Sequence, residues 1–333
     1  MKQRPFKQVD VFTGTPYYGN PLAVVLDGTG LGDDEMQRFA RWTNLSETTF
    51  LRPPTAPSAD YSVRIFTPDG ELPFAGHPTL GSCHAWLQAG GQPRAADFIV
   101  QECKVGLVKI RREGARMAFA APPLKRSAPS PVYLAQVAAA LGLKAPQIMA
   151  AQQLNNGPDW LGLLLDSPQT VLQLDPNHLE LKNLDAKVGV VSAYPAPTAP
   201  ALIARANREA RAFMAPTLAT ACAALPPEGA IPPRGGPSVE FPPTLETTAS
   251  AAPDFEVRAF AAAVGVNEDP VTGSLNASLA QWLIAEGLAP ERYLAAQGAC
   301  LERAGRVYIE RDASGQVWVG GESVTCLDGS VTI

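Results

Sequence analysis

No run of apolar residues approaches the roughly 20 needed to span a bilayer. The first residues, MKQRPFKQVDVFTG, hold no stretch that could serve as a signal peptide. A membrane protein is not expected, and a cytoplasmic location is. There is no basic block and the net charge is −5, so nucleic acid is not an expected partner. The five cysteines are scattered, odd in number and free of any Cys-x-x-Cys pair. That suits a reducing compartment and argues against a disulfide framework or a thiolate zinc site. Ser-His-Asp order, a phosphate-cradling glycine loop and metal-ligand spacing are all missing.

What is present is enough for two ordinary domains. The chain has 333 residues, 46% hydrophobic and 18% charged, which is long enough to bury real cores. It is organised around one construction that occurs twice. Residues 268–287, EDPVTGSLNASLAQWLIAEG, open on a turn with Pro270, Gly273 and Ser274, then run as a helix to Gly287. Residues 71–90, ELPFAGHPTLGSCHAWLQAG, repeat the plan. With Gly76 set on Gly273, Glu71 falls on Glu268, Pro73 on Pro270, His77 on Ser274 and Gly90 on Gly287. An Arg-x-Phe precedes each copy, at Arg64 and Arg258. Such self-similarity points to two related halves, residues 1–122 and 130–333, joined by a proline-rich linker at 122–131.

Around these helices the pattern predicts short strands. They fall at Lys7–Thr13, Leu22–Leu26, after Asn44, and at Tyr61–Thr67, Phe98–Val100, Val105–Ile110 and Met117–Ala120. Asp33–Trp42 has helical spacing. In the second half Tyr133–Leu141 reads as the helix matching Asp33–Trp42. Strands follow at Gln147–Ala151, Trp160–Leu165, Lys187–Val191, Val257–Phe260, Ala299–Ile309 and Val317–Gly320. The last strand is expected to pack back on the first half. Strands gathered around one long helix per half make an α+β protein. Residues 195–253 hold 12 of the 32 prolines and little periodicity. They read as an insertion, with a lid or an oligomer contact as the alternative.

Each turn sets backbone N–H groups at a helix N-terminus, which favours an anion such as a carboxylate. Ordinary capped helices are the plain alternative, with Ser274 and His77 as cap residues. Glu47 lies in an otherwise uncharged run between Trp42 and Leu51. Desolvation there would lift its pKa toward the range of a general acid and base; an exposed turn residue is the competing reading. Asp269 could cap, orient a neighbour or bind an amino group. The matched positions of Glu71 and Glu268 favour a shared structural role, such as a bond to turn backbone. His84 reads as structural.

Four segments taken together, VDVFTGTPYYGNPLAVV (9–25), NLSETTFL (44–51), RIFTPDGELPFAGHPTLG (64–81) and EDPVTGS (268–274), resemble the phenazine-biosynthesis PhzF-like isomerase family, which shares the diaminopimelate epimerase fold. The likeness is close over 8–120, good over 255–333, thinner over 130–190 and absent over 195–253. It implies two pseudo-symmetric domains, each a curled antiparallel sheet around a central helix, with the active site between them. It also implies a homodimer, no cofactor, and a small carboxylate substrate. By resemblance Glu47 is the catalytic acid/base, and Gly76, His77, Asp269, Gly273 and Ser274 line the substrate site. The namesake reaction isomerises trans-2,3-dihydro-3-hydroxyanthranilate, a Glu moving one proton between two ring carbons.

Related racemases use two opposed cysteines, one from each turn; the corresponding residues here are Ala75 and Thr272. A two-thiol mechanism is therefore not expected. Leu275 stands where many relatives are small, which puts the namesake substrate in question. Two other readings stay open: a catalytically idle metabolite-binding protein, and an epimerase with non-thiol bases.

Overall fold

The computed structural model describes residues 1–195 and 251–333. The insertion expected at 195–253 lies, apart from its ends, outside the described residues. The first part of the chain runs β1 (Gln3–Val11), β2 (Asn20–Val25), α1 (Asp33–Thr43), β3 (Glu47–Arg52), β4 (Tyr61–Phe66), β5 (Glu71–Leu72), α2 (Gly76–Gln88), β6 (Phe98–Cys103), β7 (Gly106–Glu113) and β8 (Arg116–Ala120). The second runs β9 (Lys125–Ser127), α3 (Pro131–Ala140), β10 (Ile148–Asn155), β11 (Asp159–Leu165), α4 (Pro168–Gln173), α5 (His178–Asn183), β12 (Val188–Ala193), β13 (Phe255–Ala261), β14 (Val266–Asp269), α6 (Gly273–Ala285), β15 (Arg292–Gln297), β16 (Gly305–Arg311), β17 (Val317–Gly321) and β18 (Ser323–Thr332).

The same pairing order appears in both parts. Strands run β1-β2-β3-β4-β6-β7-β8 in the first and β10-β11-β12-β13-β15-β16-β17 in the second. Pairing is antiparallel except for β2/β3 and β4/β6 in one and β11/β12 and β13/β15 in the other. Those four connections each need a crossover long enough to return the chain. Helices supply three of them, α1, α2 and α6, and α4 with α5 supplies the fourth. An antiparallel β8/β17 pairing joins the two parts at one seam. The last strand, β18, crosses back to pair with β1, and β9, in the link between the parts, pairs with β10.

Helices α2 and α6 are the cores. In α2, residues Gly76 to Cys83 are all buried, and in α6 all from Gly273 to Ala280. A helix without a polar face must be covered all round, so the sheet curls about it. Packing is close: a Cβ on Gly81 would meet Leu22 and Val11, and one on Gly189 would meet Leu275 at 2.2 Å. Leu275 is therefore accommodated by a glycine on β12. By contrast α1 is amphipathic, with Met36 and Ala40 inward and acids in its first turn.

Several expected elements shift. Residues 299–301 form a short 3₁₀ turn rather than the start of a strand, and β16 begins at Gly305. β15 has no counterpart in the sequence reading; its RYLAAQ lacks an alternating pattern because both faces are buried beyond Arg292. α3 is not the match of α1. It precedes β10, whereas α1 lies between β2 and β3, the place that α4 and α5 take between β11 and β12. The linker at 122–131 contains β9.

Glu71 and Glu268 do not bond to turn backbone. They clamp the two Arg-x-Phe arginines. Arg258 donates through Nε and Nη2 to Glu268 at 2.9 and 2.8 Å, and Arg64 to Glu71 at 2.8 and 2.6 Å. Each guanidinium also lies over its own Phe, 5.0 Å from the Phe66 centroid and 4.9 Å from that of Phe260. The pair fastens the short strand before each turn to the strand that precedes it.

The Arg258–Glu268 pair is only 5% and 8% exposed, against 18% and 12% for Arg64–Glu71. Arg64 also keeps Asp33 as a second partner. Glu268→Ala should therefore cost about 3 kcal/mol in urea unfolding and Glu71→Ala about 1 kcal/mol. Equal costs would show that burial does not set the difference.

Candidate active site

The two turns bring the helix ends into direct contact. A Cβ on Gly76 would lie 2.8 Å from Gly273 Cα, and one on Gly273 would lie 3.0 Å from His77 N. Any side chain at either place would push the helices apart. Residues Ala75 and Thr272 are the N-caps, and neither side chain caps its helix. Expected cap residues His77 and Ser274 are instead inside the helices. Both ends thus keep first-turn donors without a side-chain cap.

Beside them is a cavity of about 310 Å³, at the low end of the range for small-molecule sites. Glu47, Asp269 and Ser274 line it, with Ser46, Ala75 and Thr272. Phe74, Leu72, Trp160, Val264 and Val266 give it apolar walls. His77, Gly76 and Gly273 do not line it. The glycines are spent on the helix contact, and His77, 2% exposed, stands behind Glu47.

Glu47 is the first residue of β3, directly after the turn that ends α1, so its carboxyl enters the cavity wall. Its Oε2 is 3.5 Å from His77 Nε2. Both atoms are buried without a hydrogen-bond partner among the described residues. Burial, and then the nearby Asp269, push the Glu47 carboxyl well above its ordinary value. Burial alone takes His77 down to about 3, so the imidazole is neutral. Its Nδ1 lies 3.3 Å from the Asn20 side-chain amide nitrogen. With a donor group on that side, the ring proton belongs on Nε2, facing Glu47.

Asp269 is differently served. Asn20 donates to its Oδ1 at 2.9 Å, Ser46 to the same oxygen at 3.2 Å, and Thr272 to Oδ2 at 2.6 Å. Burial raises it to about 6 in spite of these donors. The donors favour its charged form, so of the two acids Asp269 ionises first and Glu47 holds the proton.

Four residues that hold the site are not singled out by the sequence, although Asn20 and Ser46 lie within segments that carry the family resemblance. Asn20 reads as a turn residue, yet it begins β2 and ties Asp269 and the Val271 carbonyl to the first part of the chain. Gln297 accepts from Thr272 N and from Asn276, and donates to the Asp269 carbonyl and to Thr272 Oγ1. Asn156 donates to the Ser274 carbonyl. Ser46 precedes Glu47 and could have been suspected on adjacency. The rest meet only through tertiary folding.

The profile of the family described as "Phenazine biosynthesis-like protein" matches residues 9–222 and 235–329. It runs into the stretch where no likeness was expected. "Antisense-enhancing sequence 1" of Schizosaccharomyces pombe is 32% identical over 347 residues, covering 99% of each chain. "Trans-2,3-dihydro-3-hydroxyanthranilate isomerase" of Pseudomonas aeruginosa is 36% identical over 176 residues, which is 52% of this chain and 61% of that one. A crystal structure of a Bacillus anthracis phenazine biosynthesis protein of the PhzF family superposes with a TM-score of 0.71 at 21% identity, covering both chains fully. At that identity the likeness speaks for the fold, the two-part α+β architecture described above. With its profile match and a full-length relative at 32% identity, the chain belongs to the phenazine biosynthesis-like, or PhzF, family.

Proposed function

We propose that the protein is a cofactor-independent isomerase that moves a proton within a small unsaturated or cyclic carboxylic acid, with Glu47 as the single general acid and base. One observation carries this reading: a carboxyl buried in a cavity wall without a hydrogen-bond partner, beside a second acid that has three donors. Desolvation lifts the Glu47 carboxyl well above its ordinary value, the direction that a single acid and base at one site requires.

Ionised Glu47 takes a proton from an sp³ carbon next to a double bond. The electron pair moves through the double bond to its far carbon. Protonated Glu47 then returns the proton there, so the double bond shifts and the formula is unchanged. His77 Nε2 faces the same carboxylate oxygen at 3.5 Å, too far for a hydrogen bond. The uncapped ends of α2 and α6, with Ser274, suit the substrate carboxylate. Asp269 orients the polar groups around it.

From the second half the cavity receives one acid, Asp269, whose oxygens are engaged by Asn20, Ser46 and Thr272, and we assign it no proton transfer. β12, the strand matching β3 in pairing order, reads VGVVSA and carries no acid, and Leu275 fills the space over Gly189. The cysteine positions of the racemases are Ala75 and Thr272. The relative named as trans-2,3-dihydro-3-hydroxyanthranilate isomerase supports the reaction class. Leu275, expected to reshape the pocket, is instead fully buried against Gly189 and is not among the cavity lining.

Proton NMR in deuterium oxide tests this with a panel of unsaturated carboxylic acids. Wild type should shift a double bond and take up deuterium. Glu47→Gln should lower that rate about 10³-fold while still binding the ligand. Conversion that survives the substitution would remove Glu47 from the mechanism. Binding by both proteins with no exchange in either would favour the metabolite-binding reading.

The same substitution has an opposite effect on the fold. An acid whose folded pKa is raised stabilises the protein below its unfolded value and loses that contribution as pH rises through the folded one. Asp269, raised to about 6, and Glu47, raised well above its ordinary value, should make the wild type less stable from about pH 4 upward. Glu47→Gln should be more stable than wild type at pH 7 by about 1 kcal/mol, and equal to it near pH 4. Chemical denaturation at the two pH values measures the difference. A variant less stable at pH 7 would show that Glu47 is not held against its solvation.

A further inference from the structure

The charge of the cavity is uneven. Glu47, Asp69, Glu71 and Asp269 line it, and Lys187 is the one cation among the described lining residues. Lys187 makes no ion pair among the described residues, although Lys104 and Arg64 both reach Glu71. It is half-buried. Its place is fixed by the sheet, since its carbonyl accepts from Leu161 N at 2.8 Å where β11 and β12 begin to pair. Lys187 makes no hydrogen bond or ion pair with Glu47.

Its neighbour across that register is Trp160, one residue before the Leu161–Val188 pair. Trp160 is 4% exposed and lines the cavity. Its Nε1 is buried with no acceptor among the described residues. A buried indole N–H without a partner is costly, and a ligand oxygen would satisfy it. Lys187 and Trp160 are neighbours across the β11/β12 register and both line the cavity, so an ammonium and an indole N–H on one strand pair are offered to an oxyanion there.

We propose that Lys187 and Trp160 form a second anion subsite, and that the substrate is a dianionic acid with two carboxylates. This rests on the carboxylate site proposed above and extends it. One carboxylate takes the helix ends and Ser274. The other takes Lys187 and Trp160, with the reacting carbons between them against Glu47. In this role Lys187 is a specificity residue, acting on which acid enters rather than on the proton transfer.

Calorimetric titration with a cyclohexene monocarboxylate and the ring-matched dicarboxylates tests it. Wild type should bind one of the dicarboxylates at least about tenfold more tightly than the monocarboxylate. Lys187→Met should remove that preference and leave monocarboxylate affinity within about twofold. Lys187→Arg should keep most of it, and Trp160→Phe, which keeps the packing and loses the N–H, should remove part. A wild type that shows no such preference, or a preference that survives Lys187→Met, overturns the proposal. Ser274→Ala separates the two sites. If it weakens mono- and dicarboxylate alike while wild type shows no preference, the helix-end site stands and only the second subsite falls. If wild type binds none of these acids, both readings fall together.

Discussion

Gly76 and Gly273 touch backbone to backbone, and the rest of the structure is arranged so that they can. With a Cβ on either, the helix ends would sit less than the closest tolerated distance apart. Because they meet, the N-termini of α2 and α6 face one another across a single seam. Each half wraps one buried helix in a sheet, and β8 pairs with β17 to close the seam from the other side. The last strand, β18, ties the second half to the sheet of the first through β1. A cavity next to that contact inherits residues from both halves: Glu47 from β3, and Asp269 from the end of β14.

The duplicated signature then has two kinds of content. Arg64 with Glu71, and Arg258 with Glu268, are equivalent in place and in chemistry, an ion pair that secures the turn. The residues that face the cavity are not equivalent. Ala75 stands opposite Thr272. His77 stands behind Glu47, whereas Ser274 opens on the cavity and has its carbonyl held by Asn156. β3 carries an acid at its start and β12 does not. The scaffold is symmetric and the lining is not, which is what the proposed one-base reaction requires.

The electrostatics follow the same division. Two acids share the buried wall, and the donors all go to one of them. Asn20, Ser46 and Thr272 serve Asp269, so its charge is tolerated; Glu47 has only the long approach of a neutral histidine. The network that reaches Asp269 passes through Gln297 and Asn276, which fastens the acid to the start of α6. Burying Glu47 without a hydrogen-bond partner raises its pKa, a perturbation of the kind that clusters at functional sites.

By itself the sequence determined the α+β class, the repeated turn-and-helix unit, the apolar helices and the presence of Glu47 in an uncharged run. These are local facts, carried by spacing, by glycine and proline at turns, and by residue type. It marked Gly76, His77, Asp269, Gly273 and Ser274 as one constellation only through resemblance to a family. Only the tertiary structure decided their different parts: two glycines given to a helix contact, a histidine behind the wall, and Asp269 and Ser274 on the cavity. It also brought in Asn20, Asn156, Trp160, Lys187 and Gln297, which have no sequence spacing in common. A side chain's role here depends on which face of a curled sheet meets which helix end. That is set by pairing between strands far apart in the chain, and no local pattern records it.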